Sequence, residues 1–379
     1  MNIAITGGTG FLGYHLMRAF HGRDGHTVRL VDLADLAADD ELPDPPPEVV
    51  RCDIRDLSGL KAAFSGCDAV VHGAGALPLF PLEEIYSTNV FGTEAVLFVA
   101  RELGIRRAVH VSSTAVYGVP RKHPIEETDP LVGVGPYGTS KILAEKICEK
   151  YRRLGMCVCV IRPKTFLGTH RLGVFQLLFD WVESGKKVPC IGNGHNRYQL
   201  LEVQDLAEAI WLGLTAPEQA ANDTFNVGAS RFGTVRDDLG ALGRAAGYER
   251  AVMGTPAMLV KPLLALFEWL GLSPLYKWVY GTANKQSYVS TTKIEQALGW
   301  KARFSNAEAL VHAFEWYRAN KAMIPKGSGV THRIGWKPGI LGFFKLLAPK
   351  ARRIEAVPAA EAGKSASGTL NVPGTAGTS

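Results

Sequence analysis

Tyr137 and Lys141 stand four residues apart in Tyr137-Gly138-Thr139-Ser140-Lys141, downstream of a hydroxyl cluster, Ser112-Ser113-Thr114. On a helix, positions i and i+4 share one face, so phenol and ammonium project together into one cleft. A cation beside a phenol favours its ionised form, which predicts a Tyr137 pKa lowered by Lys141 toward the working range of a general acid or base. This cluster offers hydroxyls that can hydrogen-bond an oxygen as charge builds on it. An isolated Tyr-x-x-x-Lys spacing arises often by chance, and what surrounds it decides its meaning.

The surrounding signal is a glycine loop at the start of the chain. Asn2-Ile3-Ala4-Ile5-Thr6 reads as a short apolar strand, followed at once by Gly7-Gly8-Thr9-Gly10-Phe11-Leu12-Gly13 and a helical stretch to about Phe20. In such a strand, loop and helix, Gly7 permits a tight turn, Gly10 lets backbone approach a pyrophosphate, and Gly13 lets the helix pack on the strand. The helix N-terminus, at Phe11 and Leu12, offers backbone amides and a positive dipole end to phosphates. A second strand over 27–31 ends in Asp32, nineteen residues after Gly13, where a carboxylate accepts from ribose hydroxyls and repels a 2′-phosphate. NAD is therefore expected rather than NADP, with Arg29 the nearby cation that could serve the phosphorylated form.

These ordered motifs resemble the extended short-chain dehydrogenase/reductase superfamily, in its NAD-dependent epimerase/dehydratase branch, from Met1 to about Tyr317. Asp53-Ile54-Arg55-Asp56 resembles the family's adenine-contacting step, and His72-Gly73-Ala74-Gly75 the segment that lines the cofactor. Asn89-Val90-Phe91-Gly92-Thr93 is similar to a family helix start, Ser112 to Gly118 to the end of its fifth strand, and Arg162-Pro163 to the end of its sixth. The resemblance implies a Rossmann-type doubly wound parallel sheet with a smaller C-terminal substrate lobe. It implies Ser113, Tyr137 and Lys141 as catalytic residues, Lys141 also holding the nicotinamide ribose. Gly7, Gly10, Phe11, Leu12, Gly13, Asp32, Asp53, Ile54, Ala74, Gly75, Asn89, Tyr137, Lys141 and Pro163 are the expected cofactor contacts, and a homodimer is expected by the same resemblance.

Substrate identity stays open between two classes. Nucleotide-sugar epimerases of the family carry an asparagine after the sixth strand, whereas this chain reads Arg162-Pro163-Lys164-Thr165-Phe166-Leu167-Gly168. Arg197 does resemble the arginine that meets the sugar nucleotide's diphosphate in those enzymes. Thr114, Lys164 and Arg197 are the candidate substrate contacts. Residues 258–280 are apolar and aromatic, broken by Pro262 and Pro274, and resemble the hydrophobic flap of the 3β-hydroxysteroid dehydrogenase-like branch, although an ordinary packing helix would read the same way. A sterol-like or other lipid alcohol is the first expectation, a nucleotide sugar the second, and a non-catalytic NAD-binding protein the third. Dehydratases of the family place an acid pair after the catalytic hydroxyl; Thr114-Ala115 stands there instead.

The elements needed to position these residues follow from alternation. Strand and helix alternate to about Arg162, which predicts an α/β fold with a parallel sheet covered on both faces. The organisation expected is an NAD-binding domain over 1–165 with a later return near 203–230, a substrate lobe over 166–320, a basic amphipathic extension over 321–355 and a disordered tail over 356–379. After Arg162, 175–184, 205–214, 291–298 and 306–320 read as helices and 197–203 as a strand. Residues 326–353 hold seven Lys/Arg and no Asp or Glu, with apolar residues interleaved, a pattern attracted to anionic lipid. No nucleic-acid module accompanies the charge.

The 379 residues, 46% hydrophobic and 21% charged with a net charge of +6, are ordinary for a globular protein of one large domain and a lobe. The first strand begins at residue 2 and no apolar run is long enough to span a bilayer, so a cytoplasmic protein is expected, with peripheral contact on the inner face of a membrane as the variant. The six cysteines lack metal or disulfide spacing and read as reduced thiols. The ten histidines show no ligand spacing, so no metal site is expected.

Overall fold

The computed structural model describes residues 1–37, 40–270, 272, 275, 277–324, 333 and 339–354. Seven strands form one sheet, here β1 (Asn2–Thr6), β2 (Thr27–Asp32), β3 (Glu48–Arg51), β4 (Ala69–His72), β5 (Arg107–Val111), β6 (Cys157–Pro163) and β7 (Thr224–Val227). Their order is β7-β6-β5-β4-β1-β2-β3 and every pairing is parallel. The order reverses direction between β1 and β4, the place where open α/β sheets leave a crevice at the carboxyl ends of their strands.

Successive side chains of a strand point to opposite faces, and both faces are covered. Ile3 and Ile5 of β1 enter one core, built with helices Phe11–Phe20, Val203–Thr215 and Thr292–Leu298. Ala4 between them enters the other, built with Leu57–Phe64, Thr93–Glu102 and Gly135–Arg153. That double burial explains the near-continuous apolar strands. A third core lies in the lobe, where Phe179 packs on Phe314 and Tyr317 with ring centroids 5.9 and 5.7 Å apart.

The helices after Arg162, Val174–Glu183, Val203–Thr215, Thr292–Leu298 and Asn306–Asn320, lie within a residue or two of expectation. The expected strand over 197–203 is shorter: only Leu201–Glu202 pairs, in parallel with Phe166–Leu167. The residues before it bond sideways to 286–289, Gln199 N donating to Ser287 O at 2.9 Å and Ser287 N to Arg197 O at 2.9 Å. Residues 258–280 resolve into the helix Ala257–Trp269 and the start of Lys277–Thr282, and the basic extension contributes the helix Ile340–Leu347. Lys326, Lys337, Pro274 and the expected disordered tail fall outside the described residues. All six cysteines are free thiols.

Candidate active site

The glycine loop is shaped by the absence of side chains. Gly7 has φ +71°, and a Cβ there would lie 2.8 Å from the Ala74 amide nitrogen; its own N–H donates to Val31 O at 2.9 Å. At Gly13 a Cβ would meet the carbonyl oxygens of Gly7 and Gly8 at 2.3 and 2.4 Å, so the helix rests directly on the loop. Around Gly10 the nearest atom is Gly7 O at 3.3 Å, which leaves one side open. Helix Phe11–Phe20 begins at Gly10 without a side-chain cap; its first amides face the loop while the Phe11 ring is buried and stacks on Phe166. Leu12 packs against the first core.

Asp32 closes the loop, its carboxylate accepting from the Thr9 amide at 3.0 Å and the Leu33 amide at 2.7 Å. Arg55 forks Asp53, 2.6 Å at the shortest contact, and this hydrogen bonding holds the Asp53 carboxyl below its ordinary range. Ile54 is buried against Gly92, where a Cβ would lie 2.5 Å from its Cδ1. An open glycine backbone, an uncapped helix start and a strand-end carboxylate fit a dinucleotide at this edge.

Three strand ends and one helix gather the second group. β5 delivers Ser113, whose Oγ accepts from the Ala115 amide at 3.1 Å. Pro136 begins the helix Gly135–Arg153, which carries Tyr137 and Lys141 on one face one turn apart. Ser113 hydrogen-bonds the phenol, yet burial outweighs that contact and raises the Tyr137 pKa above its ordinary value. Lys141 does not lower the phenol as expected from spacing. It is 5% exposed, its Nζ donates to Val111 O at 3.0 Å, and burial pushes it down to about 8 against the opposing pull of Cys148 and Glu145. The reason is depth: i, i+4 spacing fixes a shared face, whereas desolvation disfavours the charged form of both groups.

Gly75 lies between these groups and the loop, since a Cβ on it would sit 3.0 Å from Asn89 Oδ1 and 3.5 Å from Lys141 Nζ. Asn89 is 1% exposed in a π-helical turn, Ser87–Gly92. Its side chain bonds the Ala76 backbone and Ser140 rather than pointing into the cleft. His72, between Thr6 and Thr93 hydroxyls at 2.7 and 3.0 Å, is driven down to about 3 by burial and Lys141, and stays neutral.

Two supports were invisible to sequence reasoning. Arg162 donates to Glu145 at 2.9 and 2.6 Å and to the Tyr117 hydroxyl at 2.7 Å, while Ser112 donates to Glu145 at 2.5 Å. This buried ion pair, with both side chains about 5–6% exposed, clamps the helix Gly135–Arg153 to β5 and β6; a strand-end arginine facing a mid-helix glutamate was its only signal. Arg333, counted in the basic extension, instead donates to Thr9 O at 3.2 Å and pairs with Asp40, whose side chain is wholly buried. It braces the glycine loop from the far end of the chain.

On the substrate side, Thr114 donates to Pro163 O at 3.3 Å, and Lys164 donates to Ser287 at 2.6 Å with its Nζ 5.0 Å from the Tyr198 ring centroid. Burial brings Lys164 down to about 7. Arg197 is exposed over the Phe232 and Tyr288 rings, 4.5 and 5.1 Å from their centroids. Ser113, Thr114 and Lys164 thus stand at adjacent strand ends, and Arg197 at the outer side. Among the described residues no cluster of metal-ligating side chains occurs.

A dinucleotide loop and a Ser, Tyr and Lys group at the carboxyl edge of a parallel sheet define the class of nicotinamide-dependent α/β enzymes. Residues 3–228 match the model of the NAD dependent epimerase/dehydratase family, and the chain belongs to that family. It is 34% identical over 90% of its length, and 84% of the relative's, to the uncharacterized protein y4nG of Sinorhizobium fredii. A dTDP-glucose 4,6-dehydratase of Streptomyces niveus is 27% identical, covering 85% of this chain and 94% of its own. A 3 beta-hydroxysteroid dehydrogenase/isomerase of Mycobacterium tuberculosis is also 27% identical, over 83% and 90%. Among solved structures, UDP-glucose 4-epimerase of Thermotoga maritima superposes with a TM-score of 0.70 at 23% identity, over 85% of this chain and all of that one. The fold is therefore that of the epimerases and dehydratases, and the cofactor of the family is NAD.

Proposed function

We propose that this protein uses NAD to interconvert a secondary alcohol and a ketone on a hydrophobic, sterol-like or other lipid substrate. The observation that supports the chemistry is the hydrogen bond between Ser113 and the Tyr137 phenol, with Lys141 one helical turn on and its Nζ 3.5 Å from where a Cβ on Gly75 would lie. Gly7, Gly10, the amides of Phe11 and Leu12, and Asp32 would hold the dinucleotide, with Ala74, Gly75 and Pro163 along its path. NAD, when bound, supplies the hydride acceptor in oxidation and the donor in reduction.

Tyr137 takes the hydroxyl proton in oxidation and returns it in reduction. Ser113 donates to the substrate oxygen and steadies the charge that grows there. Lys141, its Nζ held by Val111 O, would hold the nicotinamide ribose. Dehydration is disfavoured because Thr114-Ala115 supplies no acid pair.

Three features support the hydrophobic substrate: the stretch from Arg162 to Gly168 without the family's asparagine, the outward apolar face of helix Ala257–Trp269, and the hydroxysteroid dehydrogenase among the relatives. The second reading, a nucleotide-sugar epimerase, draws on the exposed Arg197 held over Phe232 and Tyr288 and on the structural likeness to a UDP-glucose epimerase. Net NADH formation from NAD and a 3β-hydroxysterol supports the first. Interconversion of UDP-glucose and UDP-galactose without net NADH supports the second. NAD binding with neither reaction would leave a non-catalytic NAD-binding protein.

A further inference from the structure

We infer that the apolar faces of helices Ala257–Trp269 and Ile340–Leu347 form one platform that rests on, and does not cross, a bilayer containing anionic lipid. Both helices are turned inside out relative to an ordinary surface helix, which buries its apolar stripe and exposes its charges. On the first, Met258, Leu259, Leu263, Leu266, Trp269 and Leu270 lie along one side and expose 40–89% of their surface. Its two charged residues face the protein: Lys261 donates to Gly281 O and Asn284 at 2.7 Å each, and Glu268 accepts from the Tyr280 hydroxyl at 2.5 Å. On the second, Phe343, Leu346 and Leu347 expose 57–74%, while Lys345 is turned back onto Asp180.

The two faces are continuous. Phe267 and Phe344 meet with ring centroids 6.0 Å apart, and Ile340 N donates to Leu272 O at 3.0 Å. An apolar surface assembled from two helices and left exposed marks an interaction site. Its edge is basic. Lys186 donates to the Leu346 and Ala348 carbonyls at 3.0 and 2.8 Å, and Lys350, Arg352 and Arg353 follow, all exposed. Among the described residues the acids near it include Glu249, opposite Arg352 in the short strand pair, and Asp180, already paired with Lys345.

That combination selects the occupant. Anionic headgroups complement a basic edge while acyl chains take the apolar face. A second copy docked about a two-fold axis would set this apolar face against its own copy and would bring the basic edge no anionic partner of the kind a lipid headgroup supplies. A thirteen-residue helix is about 20 Å long, suited to lying in the interface plane, and among the described residues no helix is long and apolar enough to cross a membrane. The segment that receives Lys261 runs on to Ser287, the partner of Lys164, so platform and cleft are neighbours along the chain. The inference holds for either substrate class.

The test is co-sedimentation of the full chain with phosphatidylcholine vesicles, with and without phosphatidylglycerol. Binding is expected mainly to the anionic vesicles and should weaken with salt. Combined Leu259→Ser, Leu266→Ser and Trp269→Ser changes should reduce partitioning by about tenfold or more, and Lys350→Glu with Arg352→Glu should remove the preference for phosphatidylglycerol. Each variant should keep wild-type NAD affinity by calorimetry, which shows that it is folded. A wild-type chain that stays in the supernatant with both vesicles overturns the proposal, as do folded variants that bind like wild type. A dimer in sedimentation velocity that the triple change dissociates, without vesicle binding, would assign the face to a second copy instead.

Discussion

Asn89 donates from its amide nitrogen to the Ser140 hydroxyl at 3.0 Å while its amide oxygen accepts from the Ala76 amide at 2.8 Å. One buried side chain thereby couples the segment after β4 to the helix that carries Tyr137 and Lys141. Asn89→Ala leaves the Ala76 carbonyl and amide without those partners, and each buried unsatisfied group costs about 1–3 kcal/mol. Urea unfolding should show a loss of that order, with turnover falling more than NAD affinity. Unchanged stability and turnover would mean that Asn89 positions nothing.

Gly13→Ala should weaken NAD binding by more than about tenfold and destabilise the fold by about 1–3 kcal/mol, because its methyl would fall 2.3 Å from Gly7 O. Gly281→Ala is the contrast, since nothing lies within 4 Å of that Cβ, and it should leave affinity alone. Calorimetric titration of both variants with NAD checks the difference. Equal affinities would deny that the helix must seat on the loop.

Arg333→Ala should lower NAD affinity by up to about tenfold and cost about 1–3 kcal/mol, as it removes a charge-assisted bond to the loop and strands the buried Asp40 carboxylate. Asp40→Asn should fall between the two proteins. Wild-type affinity in Arg333→Ala would show that the extension does not brace the cofactor loop.

The direction of the Tyr137 shift sets opposite pH profiles. Burial raises its pKa, so the phenol is protonated at neutral pH, ready as an acid and scarce as a base. Oxidation should rise with pH, up to about tenfold per unit below that pKa, while reduction stays level through neutrality and falls only at high pH. Profiles of kcat/KM in the two directions test this. Two profiles that rise together would assign the proton transfer to another group.

The sheet and the glycine loop were legible in the sequence because they follow from local rules. Apolar strands, a turn that needs positive φ at Gly7, and close packing at Gly13 are each written within a few residues. The braces were not. Glu145 and Arg162 lie on a helix and a strand that only the fold brings together, and Arg333 meets Thr9 across almost the whole chain. Spacing placed Tyr137 and Lys141 on one face but could not report how deeply each is buried, and so gave the phenol's shift the wrong sign. Residues 258–280 read as apolar, yet the direction in which Met258 and Trp269 face is a property of the packing of Lys261 and Glu268 beneath them.

The account rests on Tyr137 as the group that moves the proton, and Tyr137→Phe measures it most directly. The variant should bind NAD with wild-type affinity by calorimetry and lose turnover by about 10²-fold or more on whichever substrate the wild type converts. Turnover equal to wild type in a folded, NAD-binding Tyr137→Phe protein would contradict it.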